Sequence, residues 1–147
     1  MFFRFDAKPW MAALLLPGCI IDASDDGTRP PPPASVDYAP LVTDAEAGCY
    51  WDNAYYDDIW YFEAYVDDGN GPYDVVEAWA DVYDEYAGPT LLESFELYPT
   101  DDPYVWFSDW MGSSTFLDPY YDGYTVDFVA YDSVGEAGIT TVWAYTY

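Results

Sequence analysis

Asp122-Gly123-Tyr124-Thr125-Val126-Asp127-Phe128-Val129-Ala130-Tyr131-Asp132-Ser133-Val134-Gly135 is the stretch that decides the fold. Tyr124, Val126, Phe128 and Ala130 alternate with Thr125, Asp127, Val129 and Tyr131. Successive side chains of a strand point to opposite faces, so this period of two predicts a half-buried strand. Asp132 to Gly138 follows as a hairpin loop, and Ile139 to Tyr147 reads as a last strand of β-branched and aromatic residues.

The same signal recurs upstream. Trp60, Phe62, Ala64 and Val66 alternate with Tyr61, Glu63, Tyr65 and Asp67, and the turn formers 67–72 end that run. Val76, Ala78, Ala80 and Val82 alternate with Glu77, Trp79, Asp81 and Tyr83. The alternation and flanking turns favour a strand over a helix for Tyr73 to Tyr86. Residues 90–98 put Phe95 and Leu97 on one side, and Tyr104 to Phe107 is short and strand-like. A brief strand is expected near Ser114 to Leu117, inside the loop from Ser108 to Asp122. A strand around Glu46 to Trp51 opens the series. About seven strands at these spacings predict an all-β protein, an antiparallel β-sandwich, over residues 37–147.

The quoted stretch resembles the penultimate strand of immunoglobulin-like and fibronectin-type domains. Those carry a tyrosine at the strand's start, then alternating core residues, then a polar turn. Tyr124 stands where their tyrosine corner would, with its hydroxyl returning to the backbone upstream. No cysteine pair is placed to join two sheets, unlike an antibody-type domain. The resemblance implies an Ig-like extracellular domain over roughly residues 40–147.

The N-terminus reads as an address. Arg4 and Lys8 precede the apolar run Trp10 to Leu16, which is in the ~7–15-residue range of a signal peptide and short of the ~20 that span a bilayer. The run ends Leu16-Pro17-Gly18-Cys19, which resembles the lipobox of bacterial lipoproteins through Leu16, Gly18 and Cys19. Pro17 stands where that family carries a small or aliphatic residue. The resemblance implies a signal peptide at 1–18 and lipid on Cys19. It further implies a membrane anchor in the cell envelope; Ile20, in place of the family's inner-membrane aspartate, favours the outer membrane or surface. Residues 19–36, with four prolines from Pro30 to Pro33, read as a tether with a stiff polyproline portion. The second cysteine, Cys49, is then an unpaired, inert thiol. Without lipidation, a Cys19–Cys49 disulfide is open to it.

Charge restricts function. The 147-residue chain holds 28 Asp and Glu against 3 Lys and Arg, with no His. The last cation is Arg29, so residues 30–147 carry none. Such a chain repels nucleic acid. Without His it builds neither a Ser-His-Asp triad nor an imidazole metal site. A serine nucleophile in the domain lacks a His or Lys base. The expectation is a non-enzyme. The acidity is not that of a disordered chain, because 22% of residues are aromatic and can supply a core.

Three uses of the acidic and aromatic residues stay open. In the expected sandwich, the loops at 67–72, 98–103 and 132–138 share one end. Asp67, Asp68, Asn70, Asp101, Asp102, Asp132 and Glu136 would then offer hard oxygens, and Ca²⁺ is the cofactor they suit. The plain alternative is polar turns in an acidic, salt-adapted protein. Tyr61, Tyr65, Trp79, Tyr83 and Tyr131 fall opposite the expected core, as a platform for a sugar or protein partner or as cross-strand packing. The expected function is display, adhesion or accessory binding by an anchored domain. A Ca-dependent carbohydrate- or protein-binding module is the alternative, and a paired-carboxylate hydrolase the distant third.

Overall fold

The computed structural model describes residues 36–147, so the expected signal peptide at 1–18, Cys19 and nearly all of the tether lie outside the described residues. Seven strands follow in order: β1 (Leu41–Asp52), β2 (Asp57–Asp67), β3 (Val75–Asp84), β4 (Thr90–Pro99), β5 (Val105–Met111), β6 (Tyr124–Asp132) and β7 (Ala137–Trp143). The helical content among the described residues is two three-residue 3₁₀ turns, Pro72–Asp74 and Gly112–Ser114. The protein is all-β. The sheet order is β1-β2-β5-β4-β3-β6-β7, and all six ladders are antiparallel. β4 joins the two halves through only Tyr98–Phe107 and Pro99–Trp106, so the ladder is continuous rather than two separate sheets.

The period-2 segments set the core. Trp60, Phe62, Ala64 and Val66 of β2 are buried, and so are Tyr124, Val126, Phe128 and Ala130 of β6. Phe62 stacks on Phe95 of β4 with centroids 4.6 Å apart, and Trp60 meets Tyr124 edge-on at 5.8 Å. Each such side chain contributes roughly 1.5–3 kcal/mol by leaving water, and an aromatic pair about 0.5–1.5 kcal/mol more. Thr125 and Val129, on the other face of β6, are buried as well. Their cross-strand neighbours explain it: Tyr83 and Trp143 flank Thr125, and Trp79 and Ile139 flank Val129.

Two local expectations change. In β3 a bulge between Val75 and Glu77 shifts the phase, so Val75 is 6% exposed and Val76 is 59% exposed. The expected strand near Ser114 to Leu117 is instead the 3₁₀ turn and an irregular stretch. Side chains tie it down: the Ser113 hydroxyl and N–H donate to the Asp57 carboxylate, and the Phe116 N–H donates to Glu93. Leu117 enters the core, and the Asp118 N–H donates to the Tyr124 hydroxyl oxygen at 2.9 Å.

The outer strands meet. Cys49 N–H donates to the Tyr145 carbonyl and Tyr145 N–H to the Ala47 carbonyl, both at 2.9 Å, forming a parallel bridge. The Thr140 hydroxyl donates to the Val42 carbonyl at 2.7 Å. These contacts cover part of the two edges that would otherwise offer unpaired backbone groups. Gly138 is required here, since a Cβ on it would collide with the Pro40 carbonyl oxygen.

Candidate functional site

The β2–β3 and β6–β7 connections meet at one end, together with the segment leading into β1. Asp68 shapes the first connection by accepting the Asn70 N–H at 2.6 Å. Gly71, at φ 111°, then feeds the 3₁₀ turn that carries Asp74. Asp132 shapes the second: its Oδ1 accepts the N–H groups of Val134 at 3.0 Å and Glu136 at 2.7 Å. The two connections are bonded through the Ser133 hydroxyl, which donates to Asp74 Oδ1. The Asn70 amide donates to Asp37 Oδ1 and to Asp74 Oδ2, which brings in the segment before β1. One oxygen each of Asp37, Asp74 and Asp132 lie within 4.8 Å of one another. Asp132 is 1% exposed, and its Oδ2 is buried with no hydrogen-bond partner; Asp68 Oδ2 is in the same state.

Of the seven oxygen-bearing residues expected from sequence, the structure brings Asn70 and Asp132 into this cluster. Asp68 supports the loop from beneath. Asp67 accepts the Asp68 N–H, and the contribution of Glu136 is its backbone N–H to Asp132. Asp102 caps its own turn by accepting the Tyr104 N–H at 3.1 Å, and Asp101 lines a separate groove. Asp37 and Asp74 were not expected. Asp37 precedes the first strand and Asp74 falls just past a turn, so neither belongs to a loop the strand pattern singles out.

The five expected aromatics divide between two outer surfaces. Tyr61 and Tyr65 lie on the outside of β2, where Tyr61 donates to Glu46 at 2.7 Å and Tyr65 stacks on Tyr104 at 5.3 Å. Burial first, then the Glu46 contact, pushes the Tyr61 hydroxyl up to about 12. Trp79, Tyr83 and Tyr131 lie on the outside of β3 and β6, and Trp79 donates to Glu77. These five rings therefore form no single platform.

A different pair of aromatics borders a groove of about 460 Å³ beside the loop end. Tyr73, 87% exposed, and Tyr98, 54% exposed, line it with Pro72 and Pro99, while Glu77 and Glu96 add charge. Sequence reading missed both tyrosines, because one lies in a turn and the other at a strand's end.

Cys49 is half-buried on β1. Burial, followed by Asp58 and Asp57, raises its thiol to about 12, so it is protonated and unreactive at neutral pH. Residues 36–147 contain no Lys, Arg or His, so a carboxylate here meets positive charge only from outside this segment. Compared with protein-family models, curated proteins and solved structures, the chain finds no match in any of the three.

Proposed function

We propose that the chain is a lipid-anchored lipoprotein of the bacterial cell envelope that displays a non-catalytic, Ig-like β-domain to bind a cationic protein partner. Support for the anchor is the lipobox-like Leu16-Pro17-Gly18-Cys19. Support for the Ig-like reading is the order β1-β2-β5-β4-β3-β6-β7, which lettered A to G runs A-B-E-D-C-F-G, with the fourth strand paired at seven positions to the third and at two to the fifth, together with an Asp118–Tyr124 contact like that of a tyrosine corner.

The observation that carries the binding reading is the groove between Tyr73 and Tyr98. Exposed tyrosines give large contact area for little ordering cost, and their faces attract Lys and Arg. Glu77 and Glu96 line the same groove. With no cation in residues 36–147, the surrounding surface steers a basic partner towards it.

The test uses a short Lys/Arg-rich peptide and its Gln-substituted control, with affinity read by fluorescence anisotropy. The natural chain should bind the basic peptide and not the control. The Tyr73→Ala/Tyr98→Ala double variant keeps every charge and should bind about tenfold more weakly, as expected for aromatic anchors. Equal affinity for both proteins would reduce the binding to bulk charge and remove the groove.

A further inference from the structure

We infer that Asp37, Asp74 and Asp132 hold a divalent cation, Ca²⁺, which pins the segment leading into β1 to the β2–β3 and β6–β7 connections. Three carboxylate oxygens from three separate parts of the chain lie within 4.8 Å of one another. Ca²⁺ binds oxygens at about 2.3–2.6 Å, so two ligands across it are separated by roughly twice that distance or less. Three like charges at this spacing repel unless a cation joins them.

The second observation is independent of the clustering. Asp132 is nine-tenths buried and more, yet its Oδ2 has no donor, while Oδ1 already takes two backbone N–H groups. A buried carboxylate oxygen without a partner is costly, and no Lys, Arg or His within residues 36–147 exists to supply one. The side-chain donors to the other two carboxylates among the described residues are neutral: the Asn70 amide bridges Asp37 and Asp74, and the Ser133 hydroxyl donates to Asp74. A cation supplies what they lack. The all-oxygen donor set suits Ca²⁺ rather than a softer metal.

This inference does not rest on the groove or on the lipid anchor. Its test is calorimetric titration of the metal-stripped full chain, in detergent, with CaCl₂ and separately MgCl₂ at fixed ionic strength. One saturable Ca²⁺ site is expected, at least tenfold tighter than Mg²⁺, with a Tm that rises as Ca²⁺ is added. Asp37→Asn and Asp74→Asn should each weaken Ca²⁺ at least tenfold while leaving the metal-free Tm close to that of the natural chain. Asp101→Asn/Asp102→Asn should leave binding unchanged. Asp132→Asn alters a buried hairpin and can unfold the domain, so the two more exposed variants decide the outcome. Absence of saturable binding, equal affinity for Mg²⁺, or Ca²⁺ binding that survives Asp37→Asn and Asp74→Asn would each overturn the site.

Discussion

Tyr124 shows how much one side chain can reveal. Its ring packs against Trp60 and, at 4.8 Å, against Tyr121, while its oxygen accepts the Asp118 N–H. Position and pattern make that residue legible: a tyrosine opening an alternating run. Tyr124→Phe keeps the ring and removes the acceptor, so about 1 kcal/mol of stability should be lost. Urea unfolding should show a lower midpoint with an unchanged slope; an unmoved midpoint would show that the hydroxyl contributes nothing. Asp132 is the opposite case. In a chain with 28 acids it looks like any other turn aspartate. Its burial follows from the tight β6–β7 hairpin, whose two N–H groups turn its carboxylate inward. Asp37 was hidden for another reason: its neighbours in space are remote in sequence, Asn70 being 33 positions away.

At the scale of elements, side-chain alternation located the strands well. β2, β4 and the inner face of β6 bury the residues that the period of two selects. It failed where the ladder itself is irregular. The bulge in β3 exchanges Val75 for Val76, and no local pattern announces a bulge whose cause is pairing with β6. The stretch after β5 failed similarly, since Asp57 and Glu93 hold it from other strands. Backbone proximity is equally silent in sequence. Gly138 lies against Pro40 because β7 closes on the segment before β1. Gly138→Ala forces that contact apart and should cost about 1–3 kcal/mol, the range for overpacking. Hydrogen exchange should then quicken first in β7; uniform protection with an unchanged Tm would contradict the close approach.

For the molecule as a whole, charge and topology differ in legibility. Net charge needs only the composition. Strand order does not follow from it, because β2 chooses β5, and β3 chooses β6, through long-range packing that no window of sequence contains. The charge has a direct thermodynamic consequence. All acids except Asp6, Asp22, Asp25 and Asp26 lie within residues 36–147, where nothing basic offsets them. Self-repulsion therefore opposes the compact state, and salt relieves it as the screening length falls from about 10 Å at 0.1 M to about 3 Å at 1 M. Thermal melts in NaCl, without divalent ions, should show Tm rising over that range. A flat or falling Tm would mean that the carboxylates do not strain the fold. The bridge between Ala47, Cys49 and Tyr145 has a consequence of another kind. Because β1 and the segment that follows β7 run the same way there, the chain enters that pair at one end and leaves it at the other. A tug on those two points slides the strands along each other. The bonds across them take the load together, whereas those of a hairpin would break singly, so the geometry resists shear between the first strand and the residues that follow the last one.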